Sequence, residues 1–102
     1  MNVATLEGKQ LDYWMYQHAC GVLETKVSQA EFESGYAAGK FQFTEDKALL
    51  VDLMENYTIN VQRLAGEWLA STSGHSYYAD TPLVACIRLV VALTFGNTVK
   101  ED

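Results

Sequence analysis

The feature that most limits what this chain can fold into is the run Asp80-Thr81-Pro82-Leu83-Val84-Ala85-Cys86-Ile87-Arg88-Leu89-Val90-Val91-Ala92-Leu93-Thr94-Phe95-Gly96. Its ends carry helix signals. Asp80 or Thr81 can accept the orphan N–H bonds of a first turn, and Pro82 suits the first helical position. Gly96 can close the last turn in a left-handed conformation. Between them stands a single charge, Arg88, among mostly apolar residues. A helix apolar nearly all round is buried, so residues 82–95 are expected to form the spine of the core. The run is too short to span a bilayer, which takes about 20 residues, and Arg88 interrupts it.

The remaining 80 or so residues must cover that spine, and 102 residues with 49% hydrophobic content suffice for one domain over 1–102 with a genuine core. Leu11, Trp14, Met15, His18 and Ala19 recur at helical spacing, which predicts a helix from about Gly8 to Cys20. Residues 2–6 are read as a short strand or a staple into that helix, and 22–27 alternate like a strand. Ser28 and Glu31 fit a capping box opening a short helical turn before Gly35 or Gly39. Residues 40–43 are expected to be a short strand or an anchor for Phe41 and Phe43. Thr44 is expected to cap a further helix, with Glu45 and Asp46 in its first turn and Leu49, Leu50, Leu53, Met54 and Tyr57 on its apolar side. Residues 58–64 and 67–72 alternate around Ala65-Gly66 and read as a hairpin. Residues 71–80 read as a polar loop. The expected class is α+β: a small antiparallel sheet with helices packed on one face and a buried C-terminal helix.

Two separated segments resemble the NinX-like phage proteins. Leu6 to Trp14 (L-E-G-K-Q-L-D-Y-W) is similar to that family's L-x-G-x-x-L-D-x-W opening. Gly66 to Ser71, Thr81 to Arg88 (T-P-L-V-A-C-I-R) and Phe95 to Asn97 (F-G-N) resemble its closing tryptophan strand, T-P-L-I-A-A-M-R helix and F-G-D end. In the middle, Thr44, Asp46, Ala48, Leu53, Glu55 and Ile59 align without gaps. The family's Gly-Gly-Pro is replaced by Leu50-Val51-Asp52, so this chain is expected to carry a more regular helix there. The resemblance implies a small phage accessory protein acting in the host cytoplasm and supplies no mechanism.

No residue set dictates a chemistry. Ser73, His75, Ser76 and Asp80 contain the parts of a nucleophile–base system, but in a segment whose composition promises no rigid support. His18 lies on an apolar helix face and is expected to be a hydrogen-bonded core or boundary histidine. Two histidines and two cysteines, Cys20 and Cys86, match no zinc spacing; the thiols are expected reduced and buried. No phosphate-binding glycine motif occurs. The expectation is a non-enzymatic protein with no metal and no cofactor.

Charge gives the leading functional expectation. The net charge of −6 disfavours direct nucleic-acid binding. Between residues 24 and 55, seven acids (Glu24, Glu31, Glu33, Glu45, Asp46, Asp52, Glu55) stand against Lys26, Lys40 and Lys47, leaving −4 of that net charge. Glu31, Glu33, Glu45, Asp46, Asp52 and Glu55 are the candidate surface for a basic host protein, such as a defence or nucleic-acid-processing factor. The alternative is an anionic, nucleotide-like ligand held by the 71–81 loop and the following helix N-terminus, with His75, Tyr77, Tyr78, Thr81, Arg63 and Arg88 as its contacts. No basic region followed by an apolar run opens the sequence, so an intracellular, non-membrane protein is expected. A homodimer covering Trp14 or Phe95 is also expected to be available.

Overall fold

The computed structural model describes residues 2–22, 29–96 and 98. Four helices, α1 (Gly8–Val22), α2 (Gln29–Ala37), α3 (Lys47–Tyr57) and α4 (Pro82–Phe95), accompany three strands, β1 (Asn60–Leu64), β2 (Glu67–Thr72) and β3 (His75–Ala79). The strands form one antiparallel sheet in the order β1-β2-β3. The helices pack against this sheet, an α+β fold as expected.

α4 is the spine that its sequence requires. Thr81 Oγ1 accepts the Val84 N–H at 3.2 Å, Pro82 opens the helix, and Gly96 ends it at φ 92°. Leu83, Ala85, Cys86, Ile87, Leu89, Val90, Val91 and Ala92 are buried. The helix touches β2 and β3 on one side, and α1 and α3 pack on its others. Leu6, Leu11, Leu53, Ile59, Ala70 and Tyr77 complete the aliphatic core.

The sheet is two hairpins in series. Ala65 and Gly66 have φ 51° and 84°, and Ser73 and Gly74 have φ 48° and 82°. Two successive left-handed residues define the type I′ turn, whose twist suits tightly joined strands. Val61, Ala70 and Tyr77 align across the three strands on the core side, and Gln62, Leu69 and Tyr78 on the other. The expected polar loop over 71–80 is therefore corrected: Ser71 and Thr72 finish β2, Ser73-Gly74 is a turn, and His75–Ala79 is a strand whose core side is set by Tyr77 and Ala79.

Two other expectations change. Residues 2–6 form a 3-10 turn (Val3–Thr5) capped by Asn2, which also bridges Thr98. Asp46, not Thr44, caps α3, accepting the Ala48 N–H at 3.1 Å after a 3-10 turn over Phe43–Glu45. Residues 40–43 anchor Phe41 and Phe43 with no strand. The strand expected over 22–27 lies outside the described residues but for Val22, which ends α1. Leu50-Val51-Asp52 sits within an unbroken α3.

α2 stops at Gly39. The Lys40 N–H reaches Gly35 O at 2.8 Å and the Gly39 N–H reaches Tyr36 O at 3.0 Å, with Gly39 at φ 85°, the Schellman arrangement. Gly35 lies inside the helix for a different reason. A Cβ there would come within 2.1 Å of Phe41 Cε2 and 2.7 Å of Cδ2. The Phe41 ring is itself held by Tyr16, Phe32 and Phe43. Gly35→Ala is expected to expel that ring and cost about 1–2 kcal/mol, the usual scale of overpacking. Urea unfolding would measure the loss, and Phe41→Leu in the same background should recover part of it.

Candidate functional site

The notable chemistry surrounds a second, aromatic cluster between α1 and α2. Phe32, fully buried, meets Tyr13 edge-on at 5.2 Å between ring centroids and packs on Tyr16 at 5.5 Å and Tyr36 at 5.3 Å. Tyr16 and Phe41 are 4.3 Å apart. Lys9 lies over the Tyr36 ring and pairs with Glu33. Burial of these rings holds a short, otherwise weakly anchored α2 against α1.

Asp12 closes the cluster from below. Its side chain has no exposed surface. Oδ1 accepts the Thr44 N–H at 2.8 Å, Oδ2 accepts the Thr44 hydroxyl at 3.2 Å, and the Tyr36 phenol donates to the same carboxylate. Burial pushes the Asp12 carboxyl above the usual carboxylate range, and nearby Glu45 pushes it the same way. The bonds from Thr44 and Tyr36 oppose them. Asp12 enters the sequence reading only as the acid of the L-x-G-x-x-L-D-x-W match, with no role attached. Its available signal was an acid directly on the apolar stripe of Leu11, Met15 and His18.

Two shallow grooves, of about 520 and 400 Å³, flank Phe41. Tyr16, Glu31, Ser34 and Lys40 line the first; Gln42, Phe43, Glu45 and Asp46 line the second. Of the six acids expected at a partner surface, Glu31 borders the first groove and Glu45 and Asp46 the second, with Phe41 common to both. Asp52 and Glu55 lie on the exposed side of α3 beside Val51, and Glu33 is engaged with Lys9.

The residues expected to hold an anionic ligand do not converge. Tyr77 is buried under the sheet, and Tyr78 is exposed on its opposite side. Arg63 lies over the Trp68 ring, 5.9 Å from its centroid. Thr81 Oγ1 is committed to the Val84 N–H. Arg88 donates Nε–H to Leu6 O at 2.8 Å and Nη1–H to Tyr78 O at 2.6 Å. His75 is exposed at the start of β3. His75 and Ser76, adjacent in a strand, point to opposite sides, so with Ser73 and Asp80 they build no nucleophile–base geometry.

His18 fulfils the boundary reading with both ring nitrogens bonded. Nδ1 lies 2.7 Å from Thr94 Oγ1, and Nε2 lies 2.7 Å from the Tyr57 hydroxyl. Burial pushes its pKa down. Cys86 is buried, its thiol pushed up to about 11, which makes it unreactive near neutral pH. The Cys20 side chain lies outside the described residues. Among the described residues, no group of three or more His, Cys, Asp or Glu side chains could hold a metal ion, and no helix is long and apolar enough to cross a membrane.

The architecture thus defines an α+β protein with an aromatic and acidic face built by α1, α2 and the turn before α3. No family model matches the chain, and no curated protein matches it.

Proposed function

We propose that this protein is a phage accessory factor of the NinX-like kind that works by non-enzymatic binding, using the acidic face around Phe41 to engage a basic host protein in the cytoplasm. A defence or nucleic-acid-processing factor is the partner class that fits, because such proteins present Lys and Arg to phosphate and meet carboxylates in the same way. The carrying observation is that Glu31 borders one groove and Glu45 and Asp46 the other, with the Phe41 ring between them. Carboxylates steer a cationic partner, and an aromatic face offers apolar and cation–π contact once it has docked.

The test is a combined variant, Glu31→Lys, Glu45→Lys and Asp46→Asn. Asparagine at 46 removes charge yet still caps α3, so loss of binding cannot be ascribed to a frayed helix. Against lysate of the host bacterium, the unmodified chain should retain a basic nucleic-acid-binding or defence protein at low salt and release it as salt rises. The variant's retention should fall by at least about tenfold, equivalent to 1.4 kcal/mol. Equal retention by the two chains would remove the acidic face from the proposal.

A further inference from the structure

Away from that face, the side chains of Thr94, His18 and Tyr57 form a chain of hydrogen bonds whose protons can be placed. Thr94 Oγ1 donates to Val90 O at 3.0 Å, so its oxygen is left to accept from His18 Nδ1–H at 2.7 Å. His18 Nε2 is then the unprotonated nitrogen and accepts the Tyr57 hydroxyl proton at 2.7 Å. Thr72 Oγ1 donates to the Tyr57 carbonyl at 3.0 Å. One imidazole thereby ties the second half of α1 to α3 and α4; β2 is joined to α3 separately, through Thr72 and the Tyr57 backbone. The arrangement is complete with a neutral ring, since Nε2 is needed as an acceptor.

We propose that the Tyr57–His18–Thr94 relay is a proton-sensitive latch, and that proton uptake at His18 releases the latter half of α1 from α3 and α4. A proton on Nε2 takes away the acceptor of the Tyr57 hydroxyl proton: the phenol oxygen can then accept from Nε2–H only by turning its own proton away from the ring, and the added charge meets no carboxylate. The groups around the ring offer no compensation. From α3 comes the Tyr57 phenol, kept neutral because burial raises its pKa. From α4 comes the Thr94 hydroxyl, which does not titrate. Among the described residues no carboxylate or cation acts on the ring, and the Asp12 carboxylate on the same helix is engaged with Thr44 and Tyr36. The imidazolium is therefore more stable in the opened state, where water solvates it. With the closed-state pKa below the open-state one, the tie is intact above about pH 6.5, the ordinary histidine value. It weakens as pH falls from there towards the lower closed-state pKa. Over that window the opening equilibrium rises about tenfold per pH unit.

The test is a pH titration of the full chain by ring-nitrogen NMR, with amide hydrogen exchange measured alongside. Expected are a neutral Nδ1–H ring at pH 7.5, a His18 midpoint below the ordinary histidine value of about 6.5, and exchange in residues 14–22 that accelerates about tenfold per unit beyond its intrinsic pH dependence. Tyr57→Phe keeps the ring and removes the hydroxyl that occupies Nε2. It should move the His18 midpoint up towards that value. A proton on Nε2 at pH 7.5, a His18 midpoint at or above about 6.5, or exchange in α1 that ignores acidification would each overturn the latch. A midpoint unmoved by Tyr57→Phe would do the same.

Discussion

Replacing Arg88 with methionine is expected to destabilise the fold by about 3 kcal/mol, through loss of hydrogen bonds rather than of volume. The methionine stem fills most of the space of the arginine stem. It offers no donor to Leu6 O or Tyr78 O, which Arg88 Nε and Nη1 serve at 2.8 and 2.6 Å. Leu6 has no exposed surface, so water cannot readily take the place of the lost donor. A buried polar group left unpaired costs about 1–3 kcal/mol, and the Tyr78 carbonyl adds a second, smaller loss at the sheet edge. Burial disfavours the guanidinium charge, and Glu7, Asp80 and Glu67 partly offset that effect; in the methionine variant those carboxylates lose their cation. For a domain of this size the loss corresponds to a fall in Tm of roughly 15 °C. Lysine should recover less than half of it, because one ammonium does not reproduce a fork aimed at two carbonyls. A thermal melt of Arg88→Met within a degree or two of the unmodified chain would show that the guanidinium ties nothing together.

Arg88 also shows how far local pattern reaches into the fold and where it stops. A lone arginine in an apolar helix reads either as a ligand for an anion or as a donor for buried carbonyls. Choosing between these requires knowing that the turn after Val3–Thr5 and the edge of β3 lie beside α4, and local pattern contains no such information. The helices and the first hairpin were legible because each depends on short-range rules: Thr81 before Pro82, Gly96 after Phe95, left-handed Ala65-Gly66 between two alternating runs. The second hairpin was not, because the residues on both sides of Ser73-Gly74, from Ser71 to Tyr78, are serine, threonine, histidine and tyrosine, which read as loop. Its signal was the apolar alternation of Tyr77 and Ala79. The acids of the candidate face were legible as composition, but their meeting at Phe41 depends on Gly35 admitting a ring from six residues further on. The residues that carry the phage-family resemblance are mostly ones on which the fold depends. Leu6, Leu11 and Asp12 are fully buried, Thr81 and Gly96 cap α4, and Arg88 joins three elements. Such positions specify an architecture.

Two substitutions of Asp12 are expected to have opposite outcomes. Asp12→Ala is expected to cost about 3 kcal/mol, because the Thr44 N–H, the Thr44 hydroxyl and the Tyr36 phenol all lose their acceptor in a water-excluded place, at about 1 kcal/mol or more each. The turn over Phe43–Glu45 should loosen, and with it the wall of one groove at the candidate face. Asp12→Asn keeps an oxygen for the Thr44 N–H and removes the ionised form that burial opposes. It should lie within about 1 kcal/mol of the unmodified chain at pH 7. The pH dependence separates charge from shape. Since the folded-state pKa of Asp12 is raised, the folded chain holds this proton more tightly than the unfolded one. The residue's contribution therefore becomes more favourable as pH falls through the folded pKa towards the ordinary value of 3.8, and less favourable on the way back up. Asp12→Asn abolishes that component. Urea unfolding of the two chains between pH 7 and pH 4 should accordingly show asparagine gaining relative to aspartate as pH rises. A constant gap across the range would mean that Asp12 titrates alike in the folded and unfolded chain, and that its burial has no electrostatic consequence.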